Sequence, residues 1–174
     1  LGSSAAIALL VATGIQGVIA QDFNVRYTVY NASATSYGVY IKNSARGATA
    51  VANRPIVRRN TIVANAPTQY CISIGDTTTA YDVDHGLVYA NTITVPYYAS
   101  DTPHCIAIGN VTGGLAYGNT TYGGYVGILL GINQGAVVTG NLCVGCYGFA
   151  LYSKGCGATT RPIMCQNTVV LTNQ

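Results

Sequence analysis

Leu87-Val88-Tyr89-Ala90-Asn91 and Leu115-Ala116-Tyr117-Gly118-Asn119 are one pattern written twice: two apolar residues, two variable ones, then asparagine. The pattern extends both ways along the chain. Upstream stand Val18-Ile19-Ala20-Gln21-Asp22 and Ile56-Val57-Arg58-Arg59-Asn60, and downstream Val137-Val138-Thr139-Gly140-Asn141 and Ile163-Met164-Cys165-Gln166-Asn167. The closing Asp or Asn positions are 38, 31, 28, 22 and 26 residues apart. A second column runs in phase with the first. It reads Ala6-Ile7-Ala8-Leu9, Gly38-Val39-Tyr40-Ile41, Cys71-Ile72-Ser73-Ile74, Cys105-Ile106-Ala107-Ile108, Gly127-Ile128-Leu129-Leu130 and Phe149-Ala150-Leu151-Tyr152.

A strand of four or five residues cannot bury its apolar face alone, but like strands stacked ~4.8 Å apart can. Asn tolerates the left-handed backbone of a tight corner, and stacked amides hydrogen-bond from rung to rung. A basic period near 22 residues fits a coil of three short strands and three turns. The longer periods are then the same coil with polar insertions at 44–54, 76–86 and 96–104.

These residues resemble the right-handed parallel β-helix family, the pectate-lyase-like superfold. The likeness rests on the ladder Asn60, Asn91, Asn119, Asn141 and Asn167, with Asp22 in the same column, and on the strands before it. It covers nearly the whole chain and implies an all-β solenoid of about six coils, roughly 30 Å long. The superfold includes polysaccharide lyases and hydrolases, phage tailspikes, adhesins and periplasmic accessory proteins, so the fold alone does not assign an activity.

Composition narrows the classes. The chain has 174 residues, read as one domain over residues 1–174, with 7% charged residues, a net charge of +3 and no Glu. That charge is too sparse for a nucleic-acid binder, which needs a dense basic stripe. No run reaches the ~18 apolar residues of a membrane helix, so no membrane insertion is expected. The apolar stretch from Ala5 to Ala20 is read as structure rather than as a signal segment, since it lacks a basic start. Neither terminus reads as a solenoid cap, which points to a section of a longer chain or to closure by partner subunits. No cofactor is expected.

Without Glu, acid chemistry falls to Asp22, Asp76, Asp82, Asp84 and Asp101. Asp82 and Asp84, two apart, share a face if their segment is extended, and Asp101, His85 and His104 lie nearby in sequence. Two carboxylates on one face can divide the acid and base roles of glycoside hydrolysis. The same residues also suit turn caps and a polar loop. Family resemblance supplies only a faint hydrolase echo in His85-Gly86, and an Arg-x-Lys signature is missing. A lyase would need a Ca²⁺ cluster and a nearby base, for which Lys42 and Arg46 are the candidates.

Tyr89 and Tyr117 occupy one column on consecutive coils, with Arg58 before them, and are expected to face outward. Such rings suit stacking on sugar faces or an aromatic ladder that only braces the sheet. Arg54, Arg58 and Arg59 form the one basic cluster, open to an anionic glycan or a neighbouring subunit. Asn31, Asn110 and Asn119 begin glycosylation sequons, and Asn119 is claimed by the ladder.

Cys71, Cys105, Cys143, Cys146, Cys156 and Cys165 are even in number, but their spacing departs from that of zinc ligands, and no metal is expected. Cys71 and Cys105 share one slot in consecutive coils. Parallel side chains there disfavour a disulfide, so both are expected to be buried and reduced, with Cys143. The resulting expectation is a phage tailspike or similar virion-surface, extracellular homotrimer that recognises, and in some versions degrades, cell-surface polysaccharide. A secreted polysaccharide lyase or hydrolase and a non-catalytic adhesin or stalk are the alternatives.

Overall fold

The structure is a computed structural model. It describes residues 6–12, 17–27, 36–42, 52–64, 70–75, 83–95, 103–109, 111–131, 135–153 and 161–172. Among them the chain forms a parallel β-helix of about six coils, as the repeat requires. The first sheet stacks β1 (Ala6–Ala12), β4 (Ser36–Lys42), β8 (Tyr70–Ile74), β12 (His104–Ile108), β16 (Val126–Leu130) and β19 (Phe149–Ser153). The second stacks β2 (Ile19–Gln21), β6 (Ile56–Arg58), β10 (Leu87–Tyr89), β14 (Leu115–Tyr117), β17 (Val137–Thr139) and β20 (Ile163–Cys165). The third stacks β3 (Asn24–Tyr27), β7 (Thr61–Ala64), β11 (Thr92–Thr94), β15 (Thr120–Tyr122), β18 (Leu142–Val144) and β21 (Thr168–Val170). A minor sheet of β5 (Ala52–Asn53), β9 (Val83–Asp84) and β13 (Val111–Thr112) fills the corner between the first and second sheets.

The core is a set of axial columns. Val39, Ile72, Ile106 and Ile128 form one, and Ile41, Ile74, Ile108 and Leu130 the next, all fully buried. The second sheet contributes Ala20, Val57, Val88, Ala116 and Val138, and the third Ile62, Ile93, Thr121 and Cys143. Burying each Ile or Leu stabilises by about 1.5–3 kcal/mol, which no single coil could accumulate without neighbours.

The asparagine ladder is continuous and runs in one direction. Each amide Nδ2 donates to the Oδ1 of the next coil: Asn60 to Asn91, Asn91 to Asn119, Asn119 to Asn141 and Asn141 to Asn167, all at 2.9 Å. Each backbone N–H of the column donates to the same oxygen, from Phe23 through Asn141, at 3.0–3.1 Å. The second Nδ2 hydrogen reaches a carbonyl one coil back, such as Val57 for Asn91 and Val88 for Asn119. Asn60, Asn91, Asn119 and Asn141 are fully buried, so these bonds replace water completely.

Asp22 is not a member of this ladder. Gln21 pairs with Arg58, which sets Asp22 beside Arg59 and places Phe23 in the asparagine column. The asparagines are not the left-handed residues either. That role belongs to the residue before each asparagine, Arg59, Ala90, Gly118, Gly140 and Gln166, and to Asp22 before Phe23, with φ between 54° and 63°. The Asp22 carboxylate instead takes Nε and Nη2 of Arg59 at 2.8 and 2.7 Å, clamping the first two coils. The guanidinium beside it holds Asp22 below the usual carboxylate range, so this small contribution persists above that range and vanishes as pH falls through the lowered value.

The second column also shifts in register. Leu9 pairs with Val39 and Ile128 with Leu151, so the partners of Gly38 and Gly127 are Ala8 and Ala150, not Ala6 and Phe149. The slot therefore reads Ala8, Gly38, Cys71, Cys105, Gly127, Ala150 and is small in every coil. Size is what the position selects. A Cβ on Gly38 would stand 2.6 Å from the carbonyl oxygen of Cys71, and one on Gly127 2.6 Å from that of Ala150.

Candidate functional site

The bend at that slot creates the most distinctive outer surface. In β4, β8, β12 and β16 two consecutive residues point inward: Gly38 and Val39, Cys71 and Ile72, Cys105 and Ile106, Gly127 and Ile128. The break in alternation turns the residue before the pair outward, and the residue after it as well. The outward residues before the bend are Tyr37, Tyr70, His104, Val126 and Phe149. Those after it are Tyr40, Ser73, Ala107, Leu129 and Tyr152.

These side chains form a nearly continuous aromatic belt along the first sheet. Tyr37 stacks on Tyr40 at 4.1 Å between ring centroids and on Tyr70 at 5.6 Å, and Tyr70 stacks on His104 at 5.1 Å. At the other end Phe149 stacks on Tyr152 at 4.8 Å and meets Tyr125 edge-on, while Tyr125 lies 5.9 Å from Tyr147. Between the two groups, Ala107, Val126 and Leu129 are only 1%, 1% and 7% exposed although they face away from the solenoid core. Tyr70, Tyr125 and Tyr152 pack on them. The belt runs from the second to the sixth coil, about 19 Å at ~4.8 Å per rung. Tyr147 and Phe149 are 43% and 46% exposed. None of the belt residues named carries a formal charge at neutral pH, apart from what His104 can acquire on protonation.

Of the residues expected from sequence, the described ones lie on more than one face. His104 belongs to the belt as a stacked ring. His85 lies on a different corner, exposed and left-handed at φ 50°, with its ring against Gly113. The structure does not bring the two histidines together. Asp84 sits in β9, its backbone paired with Asn53 and Thr112, and its side chain is outside the described residues. Asp76, Asp82, Asp101, Arg46, Asn31, Asn110 and Cys156 lie outside them too, as does the Lys42 side chain.

Tyr89 and Tyr117 are adjacent on the second sheet, stacked at 4.7 Å with 8° between their planes. Tyr117 is exposed and Tyr89 half-buried. The far face of Tyr89 meets Arg58, whose guanidinium carbon lies 5.9 Å from the ring centroid. Arg58 Nη1 donates to the Tyr89 hydroxyl at 2.7 Å, and its Nε and Nη2 donate to Gln21 Oε1. Arg58 thus sits at the hydroxyl end of Tyr89 while Tyr117 covers one of its faces.

Cys71, Cys105 and Cys143 are buried thiols, and among the described cysteines Cys146 is half-buried and Cys165 exposed. Burial, with neighbouring thiols adding to it, pushes Cys105 well above the ordinary thiol value. Burial raises Cys143 as well, and Cys146 up to about 12. On unfolding these thiols return to the ordinary range of about 8.5–9. The unfolded chain therefore loses their protons first. Their contribution to stability is full below that range and falls as pH climbs through it towards the raised values. The melting temperature is expected to drop above pH ~9, and Cys105→Ala, small enough for the slot, is expected to flatten that drop in a pH-resolved thermal scan.

No protein-family model, curated protein or solved structure matches the chain in comparison. Among the described residues no helix is long and apolar enough to cross a membrane.

Proposed function

We propose that this chain is a polysaccharide-recognising β-helix of the tailspike kind, working on a virion or other extracellular surface. The observation that carries the reading is the uncharged aromatic belt on the outer face of the first sheet. Pyranose rings present flat C–H faces that pack against aromatic rings, while their hydroxyls stay hydrated or bond to nearby polar groups. A rigid sheet holds the rings in place before a ligand arrives, which lowers the entropy cost of binding. The Tyr89, Tyr117 and Arg58 column is a second candidate surface for the same ligand.

Recognition is what the described side chains support. The one carboxylate among them, Asp22, is paired with Arg59 at another corner. Cleavage by a lyase or hydrolase is the competing reading and rests on Asp82, Asp84 and Asp101. A homotrimer is part of the proposal. Its support is the low charge and a half-buried to exposed aliphatic column on the second sheet, Ile19, Ile56, Leu87, Leu115, Val137 and Ile163.

The test is a binding screen of native protein against neutral and anionic polysaccharides, followed by titration calorimetry on the best ligand. Phe149→Ala and Tyr147→Ala, at exposed positions, are each expected to weaken binding by about 1 kcal/mol, a factor of roughly five. Unchanged affinity in both variants would remove the belt from the site. Unsaturated or shortened sugar products would replace recognition by cleavage.

A further inference from the structure

Four thiols gather where the third sheet turns into the first. Cys71 and Cys105 occupy the small slot in adjacent rungs, Cys143 lies in β18, and Cys146 follows it across the left-handed Gly145 at φ 64°. Cys146 packs against the same core cluster that contains the other three. Three features single out Cys143 and Cys146 as a pair. They are spaced Cys-x-x-Cys, as Cys143-Val144-Gly145-Cys146. Both thiols lie against Thr121 Oγ1, a fully buried hydroxyl that makes no hydrogen bond of good geometry. The neighbouring position is Gly127, where a Cβ would stand 2.9 Å from Cys143 Sγ and 3.1 Å from Thr121 Oγ1. With no side chain at Gly127, Cys143 Sγ and Thr121 Oγ1 fill that position themselves, which brings the thiol to the bend.

We propose that Cys143 and Cys146 form a dithiol modification site that closes to an intrachain disulfide by exchange with a small-molecule disulfide. Cys146, the less buried residue of the two, is the one assigned to meet the reagent first. Its thiolate attacks one sulfur of the reagent, the reagent's S–S bond breaks, and one small thiolate leaves. The Cys143 thiolate then attacks the Cys146 sulfur of the mixed disulfide and expels the second small thiolate. Two electrons pass from the protein pair to the reagent, and the two thiol protons pass through solvent to the two released thiolates. The product is uncharged and so costs little to keep in the apolar corner, whereas either thiolate is costly there. Burial therefore makes the exchange slow rather than unfavourable.

Cys71 and Cys105 do not compete. Their Cα atoms are about one strand spacing, ~4.8 Å, apart, but their Cβ bonds run parallel, and a disulfide needs a dihedral near ~90°. Neither is exposed to a reagent.

The test uses the whole native chain, incubated to completion with excess oxidised glutathione, then unfolded and alkylated. In the wild-type protein, peptide mapping by mass spectrometry is expected to show Cys143 and Cys146 protected from alkylation and joined by one bond, whatever mixed disulfide forms at the exposed Cys165. Cys165→Ser is expected to close as wild type does. Cys146→Ser is expected to leave Cys143 alkylatable. Full alkylation of Cys143 and Cys146 after oxidation, a glutathione adduct that persists on Cys146, or a bond through another cysteine would each overturn the proposal. The wild-type map stands whether or not the serine variants fold. It is also independent of glycan binding.

Discussion

Asn91→Leu is expected to lower the free energy of unfolding by about 2–6 kcal/mol, read from denaturant melts at constant slope. The change removes both the donor and the acceptor of a buried amide. It leaves the Asn60 N–H without the Asn91 Oδ1, and the Val57 carbonyl without the Asn91 Nδ2. Each orphaned buried group costs about 1–3 kcal/mol, since no water replaces the lost partner. Leucine is close to Asn in length, so the loss reads the amide network more than a change in volume. Asn167→Leu is the internal control. Asn167 is only half-buried, and its bonds with Asn141 lie near solvent. Its replacement is expected to cost less than half as much. Equal losses at both sites would show that burial of the ladder is not what makes it stabilising.

Gly75→Ala is expected to cost about 3–5 kcal/mol, combining a left-handed backbone with an overpacked corner. Gly75 has φ 77°, and a Cβ there would overlap the carbonyl oxygen of Gly109 on the next coil. That neighbour is backbone, held by the hydrogen bond from the Gly109 N–H to the Ile74 carbonyl, and it cannot rotate away. Gly118→Ala separates the two causes. Gly118 is also left-handed, at φ 60°, but nothing lies within 4 Å of a Cβ added there. The equivalent rung already carries Ala90 at φ 54°. Gly118→Ala is expected to cost only about 1–2 kcal/mol, the price of the left-handed backbone alone. Thermal melts of the two variants side by side check the difference.

The fold was legible because the ladder repeats a rare constraint. Asn60, Asn91, Asn119, Asn141 and Asn167 each follow an inward apolar residue by three positions, and no insertion falls inside that short motif. Where the constraint lapses, the reading slipped by one or two residues. In the first coil Phe23 fills the ladder position and the acidic residue beside it drew the alignment onto Asp22. In the first sheet hydrophobicity aligns Ala6 and Phe149 with the column, whereas the shared feature is the small residue at the bend, which is Ala8 and Ala150.

The belt was hidden by the same error. Its rings follow no common motif, because Tyr37, Tyr70 and His104 precede the bend while Tyr40 and Tyr152 come after it. Strict alternation would send one of these two sets into the core. Aligning the chain on Gly38, Cys71, Cys105 and Gly127 would have shown an aromatic residue immediately before three of those four positions. Tyr89 and Tyr117 are easier to find, since they sit inside the repeated motif.

The direction of the asparagine ladder gives the molecule a polar axis, in the sense a crystallographer uses the term. All the bridging amides point the same way, so their dipoles add instead of cancelling, and the two ends of the column are chemically unlike. Phe23 offers no side-chain amide with which to carry the column past the first rung. At the opposite end, a further rung that brought a side-chain oxygen over Asn167 would find a backbone N–H and an amide oriented to receive it. The column is therefore vectorial, with every bridging bond running from the Asn60 rung towards the Asn167 rung.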